Sequence, residues 1–61
     1  MNLLTLHIVL VWNDDTNGWV QFNTEESAET ALQMAAGLRG NQVKAEVYPV
    51  TIRWDDEGRI L

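Results

Sequence analysis

Residues 3–12, LLTLHIVLVW, carry eight apolar side chains in ten and no charge, and nothing else in the 61 residues is greasy enough to form the middle of a fold. A membrane-spanning helix needs about 20 apolar residues, whereas this run meets Asn13, Asp14 and Asp15 at once. A secretory leader would place a basic region before the run and small residues after it. Here Met1 and Asn2 precede it and Trp12 with two aspartates follows, so a strand of a cytoplasmic protein is expected. Thr5, Ile8, Val9, Val11 and Trp12 favour strand over helix, because branched and aromatic side chains fit a pleated, half-buried surface. Alternation divides the strand into two stripes. Leu4, Leu6, Ile8, Leu10 and Trp12 make a continuous apolar one, expected to be the core; Leu3, Thr5, His7, Val9 and Val11 make a mixed one.

A chain this short forms one domain, residues 1–61, and buries only about 60% of its unfolded surface, so thin packing or self-association is expected. With no cysteine, neither disulfides nor thiolate metal sites can staple it. Nine acidic against four basic residues give a net charge of −5, which repels phosphate backbones and argues against nucleic-acid binding.

Beyond the polar block at residues 13–18, Trp19, Val20, Gln21, Phe22 and Asn23 alternate, which reads as the second strand of a hairpin. A three-residue loop of Thr16, Asn17 and a left-handed Gly18 pairs Asp15 with Trp19 and Trp12 with Phe22. That register places Val20 and Phe22 on the face of Leu10 and Trp12. Asn23 or Thr24 then caps a helix with Glu25 and Glu26 in its first turn, where acids complement the helix dipole. The helix runs to about Leu38, with Ala28, Ala31, Leu32, Ala35 and Leu38 on its inner stripe and Gly40 as its terminating residue.

In residues 43–54 the apolar phase switches between Val43, Ala45, Val47 and Val50, Ile52, Trp54, with Tyr48 and Pro49 at the change. Proline cannot donate to a ladder, so an edge strand bent or bulged at Pro49, or two short strands, is expected. Residues 55–58 form a turn and residues 59–61 a frayed strand end. The order strand, strand, helix, strand, with a right-handed crossover, gives an α+β fold: ββαβ, with ββαββ as its variant. Its sheet is three-stranded and mostly antiparallel, ordered 2-1-3, with one helix on one face. The other face is left bare. Val9, Val11, Trp19, Tyr48 and Trp54 are its candidates for partner binding or self-association, since large exposed apolar patches mark contact surfaces.

The same topology brings Glu25, Glu26, Glu29, Asp55, Asp56 and Glu57 to one pole, an acidic patch suited to Lys or Arg of a partner. Constellations for catalysis are thin. His7 is the single histidine, and Ser27 lacks a triad partner. The Asp14-Asp15 and Asp55-Asp56 pairs sit in solvated turns, with no buried setting to separate their acidities. Neither turn has the alternating oxygens and closing glutamate of a calcium loop, and Gly37 and Gly40 end a helix rather than open one on a phosphate. No enzyme, cofactor or metal is expected. The expectation is a small acidic protein-interaction module with no direct contact to nucleic acid or membrane, acting on a protein with a basic surface. An inhibitor of the kind that phages and mobile elements direct at host or defence proteins fits it, for instance by blocking a nucleic-acid site. The alternative is a homo-oligomeric assembly protein, most simply a homodimer.

Residues 19–50, WVQFNTEESAETALQMAAGLRGNQVKAEVYPV, resemble one strand-helix-strand half of the peptidoglycan-binding SPOR repeat, in which an aromatic strand precedes an acidic-capped, alanine-rich helix. That resemblance implies an exported glycan binder, but the repeat has two such halves and this stretch supplies one.

Overall fold

A computed structural model describes residues 2–61. Strands β1 (Asn2–Asn13) and β2 (Gly18–Glu25) form a hairpin, helix α1 (Ala28–Gly40) follows, and β3 (Ala45–Trp54) returns along the other side of β1. The sheet order is β2-β1-β3 with both pairings antiparallel, the α+β arrangement expected from the order of elements. The apolar run is its central strand.

The hairpin closes differently from the expected three-residue loop. Asn13 pairs with Gly18 and Trp12 with Trp19, not with Phe22. The side-chain oxygen of Asn13 accepts the backbone N–H groups of Asp15 at 2.9 Å and Thr16 at 3.4 Å, starting the turn earlier than a glycine-centred loop would. Asn17, at φ 56°, supplies the left-handed residue in place of Gly18. The register then shifts between Val9 and Leu10, leaving Phe22 as the unpaired residue of a bulge on β2.

The side of the sheet that α1 covers is also the reverse of the expected one. Val9 is fully buried with Ala31, Ala35 and Ala45, and Val11, Met34, Leu38 and Val47 close around them. The core stripe of β1 is therefore the mixed one, and Leu4, Leu6, Ile8, Leu10 and Trp12 look out on the open face, only half-buried. Size explains the choice. Alanines at positions 31 and 35 bring the helix backbone close to the sheet, and that spacing suits Val9, Val47 and Ala45 better than a row of leucines.

Helix details follow from the extended β2. Because that strand continues to Glu25, Ser27 rather than Asn23 or Thr24 is the N-cap, its hydroxyl accepting the Thr30 N–H at 3.2 Å. Met34 joins the inner stripe, while Leu32 points outward, 56% exposed. At the other end Gly40 stays helical and Gln42, at φ 65°, takes the left-handed position, with Val43 N–H donating to Leu38 at 2.9 Å. Strand β3 is continuous and pairs residue by residue from Asn2↔Trp54 to Val11↔Ala45, with no bulge or bend at Pro49. Proline is tolerated there because β3 is an edge strand.

Candidate interaction surface

Directly opposite residues of an antiparallel pair share a face, so the register sorts the whole sheet. The helix side holds Leu3, Thr5, His7, Val9 and Val11 of β1 beside Arg53, Thr51, Pro49, Val47 and Ala45 of β3. The open side holds Leu4, Leu6, Ile8 and Leu10 beside Ile52, Val50, Tyr48 and Glu46, with Trp12 and Trp19 side by side at the hairpin end. The phase switch in β3 thereby acquires a meaning. Up to Val47 the apolar residues of that strand face the helix, and beyond Pro49 they face away from it.

Helix cover is partial. Strand β2 pairs with β1 only as far as His7, and His7 Nδ1 donates to the backbone carbonyl of Glu26 at 3.2 Å, just before the helix starts. Residues 2–6 thus pair with β3 alone, as a two-stranded ribbon running past the helix. On the helix side this ribbon is mostly polar: Thr5 and Thr51 hydroxyls meet at 3.1 Å and Arg53 is exposed, with Leu3, 58% exposed, as the apolar exception. Its other side shows Leu4, Leu6, Val50 and Ile52. The ribbon's apolar residues are all but confined to the face that no element covers.

Of the candidates for that face, Trp19, Tyr48 and Trp54 stand on it, 42% and 60% exposed for the first two and half-buried for the third. Val9 and Val11 do not: they lie under α1, because it is the valine stripe that the alanine-rich helix covers. Leu4, Leu6, Ile8, Leu10, Trp12, Val50 and Ile52 belong in their place. Their alternation was visible in the sequence, but an unbroken apolar stripe reads first as core.

The six acids are not gathered at one pole. Glu25 stands opposite His7, while residues 55–57 follow Trp54, which stands opposite Asn2. Five residues of strand separate the levels, about 17 Å, beyond the ~8–10 Å over which exposed charges act on each other in physiological salt. Asp55 is committed to its own turn, its carboxylate accepting the N–H groups of Glu57 and Arg59 at 2.9 Å each. Glu57 pairs with Arg59 at 3.0 Å, Glu25 accepts from Asn23 at 2.9 Å, and Asp56 and Glu29 make only long contacts with Asn2 and Gln33, 3.5 Å each. Glu26 contributes its backbone carbonyl to His7.

Among the described residues no three His, Cys, Asp or Glu side chains come together to hold a metal ion, and no helix is long and apolar enough to cross a membrane. Comparison with family models, curated proteins and solved structures finds no match.

Proposed function

We propose that this chain is a non-catalytic interaction module whose open sheet face is its binding surface, and that the first occupant of that face is a second copy of the chain. The observation that carries the reading is the sidedness of the β1–β3 ribbon, apolar toward the open face and polar toward the helix side.

Three further features support a face-to-face pair. The chain exposes 4589 Å², whereas a compact monomer of 6.9 kDa exposes about 4,000 Å². The open face measures about 40 Å along the strands and 10–14 Å across them, so two copies together offer about 1,000 Å², the scale at which specific interfaces begin. The face is also nearly free of charge, Lys44 and Glu46 at one end being its ionisable exceptions besides Tyr48, so two copies at −5 each can meet with Glu46 as the one acid on the shared face. Edge-to-edge association is disfavoured. The bulge at Phe22 interrupts the outer edge of β2, and Pro49 sits midway along β3. The tail covers the end of β3 through the Trp54–Ile60 bridge and the Leu61 N–H bond to Arg53 at 2.9 Å.

In such a pair the acidic turns remain outside, available to a partner with a basic surface. Inhibition of a protein that carries such a surface is the narrower form of this reading. Its support is the charge of −5, together with the pairing of Arg39 and Arg59 to Glu46 and Glu57.

A matched pair of substitutions tests the face. Leu6 and Thr5 are neighbours, both half-buried, on opposite sides of the ribbon. Light scattering should give the parent chain twice its 6.9 kDa mass; Leu6→Lys should return it to the monomer and Thr5→Lys should not. A parent chain that stays monomeric to millimolar concentration defeats the second-copy reading, and equal effects of the two lysines defeat the assignment of the face.

A further inference from the structure

The hairpin end of the open face carries an arrangement that association through the leucine stripe does not require. Trp12 and Trp19 stand opposite each other and meet edge to face, centroids 5.4 Å apart and planes at 80°. The ammonium of Lys44 lies over both, 4.7 Å from the Trp12 centroid and 5.4 Å from that of Trp19. Both distances fall inside the ~6 Å range over which a ring's negative face attracts a cation. The lysine is anchored at its backbone, its carbonyl accepting the Trp12 N–H at 2.9 Å, so the side chain starts beside the rings it covers.

This placement is unexpected in a chain with nine acids. The ion pairs among the described residues are Arg39–Glu46 and Arg59–Glu57, and Lys44 takes part in neither. An open cleft of about 450 Å³ adjoins the Trp12 ring, lined by Trp12, Asp14, Gln42, Val43 and Lys44 itself. Two roughly perpendicular indoles with a carboxylate at the rim are the components of an aromatic cage for an organic ammonium. Trp19 remains 42% exposed with Lys44 in place, and Lys44 is itself exposed, so its ammonium can return to water when something displaces it.

We propose that Trp12 and Trp19 form a binding site for an ammonium group carried by a partner, lysine or an alkylated lysine in chemistry, and that Lys44 fills it as a tethered placeholder in the free chain. Removing the placeholder opens the site. Trp12 and Trp19 share the open face with the proposed second copy, so a pair covering its full length competes with the ammonium, and the site is tested at dilutions where the chain is a monomer.

The probe is choline, with 3,3-dimethylbutan-1-ol as its uncharged isostere, titrated at constant ionic strength while tryptophan fluorescence and the indole N–H resonances are followed. Lys44→Ala should bind choline saturably and about two- to fivefold more tightly than the parent chain, the factor expected from one displaced exposed cation–π contact. The alcohol should give no saturable response. Trp19→Leu in the Lys44→Ala background should abolish choline binding, and Lys44→Gln, which keeps a polar stem over the rings, should bind choline as Lys44→Ala does. Failure of both Lys44 variants to bind choline overturns the proposal. So does equal binding of the alcohol, which would mark a merely apolar patch, and so does retention of binding after Trp19→Leu. Light scattering separates the two readings: a chain that binds choline yet stays monomeric to millimolar concentration removes the second copy and leaves the cage.

Discussion

Ile8 and Val9 are adjacent on β1 and face opposite ways, so truncating each to alanine gives a direct measure of which stripe the helix buries. Val9 is fully buried between Ala31, Ala35 and Ala45. Val9→Ala removes two carbons, worth about 1.6 kcal/mol of transfer free energy at ~0.8 per methylene, and an imperfectly closed cavity raises the cost to about 2 kcal/mol. A 61-residue domain is stable by roughly 3–9 kcal/mol at 0.05–0.15 per residue, so this single change removes about a fifth to two-thirds of it and lowers Tm by about 8–16 °C. Ile8 is the larger side chain but is only half-buried, on the face without a helix. Within a single copy Ile8→Ala should cost about 1 kcal/mol. Its main effect should be on association. Urea unfolding over a hundredfold range of protein concentration separates the two: Val9→Ala shifts the midpoint by a similar amount throughout, whereas Ile8→Ala flattens the dependence of the midpoint on concentration. If, at a dilution where the mass is 6.9 kDa, Ile8→Ala proves the more damaging, the assignment of faces is wrong.

Two predictions concern the link between α1 and β3. Gln42 holds φ 65° without the freedom of glycine. Gln42→Gly should therefore stabilise the chain by about 0.5–1 kcal/mol, the strain relieved exceeding the added freedom of the unfolded state, as a higher Tm in calorimetry. Arg39 donates through Nε to the Ala45 carbonyl at 2.9 Å and through a terminal nitrogen to Glu46 at 3.3 Å, where both side chains are about half exposed or more. Glu46→Gln should then cost under about 0.5 kcal/mol, while Arg39→Ala costs about 1–2 kcal/mol by also freeing the carbonyl at the start of β3; equal losses in chemical denaturation would show that the carbonyl bond contributes nothing.

Element order, strand neighbours and the approximate position of the helix were legible in the sequence because each rests on a local signal: period-two alternation, cap-type residues and acids before an alanine-rich stretch, and one crossover between parallel strands. Register was not. Asn17-Gly18 advertises a glycine-centred turn, yet the side chain of Asn13 captures two N–H groups and closes the loop a residue earlier. The bulge at Phe22 then shifts the second half of the hairpin relative to the first, and no residue type at positions 20–23 announces it. The acidic pole failed for a related reason: it assumed that β2 and β3 end at the same level, whereas β2 stops opposite His7 and β3 runs on to Asn2.

The inverted face has a different origin. Two apolar stripes compete on β1 for one helix, and reading the richer stripe as the core assumes that the chain buries its own best surface. Helix α1 is built to do otherwise. Its inner residues are Ala31, Met34, Ala35 and Leu38, and the alanines among them seat it against valine and alanine. Strand β3 agrees with it, turning apolar toward the helix at Ala45 and Val47, then toward the open face at Val50, Ile52 and Trp54, with no bulge between. A sheet that needed its second face only for solubility would place polar residues at those last three positions, where no helix reaches to bury them. In the single chain Val50, Ile52 and Trp54 stay half-buried, and the pairing proposed for this face would remove the apolar area that they still expose.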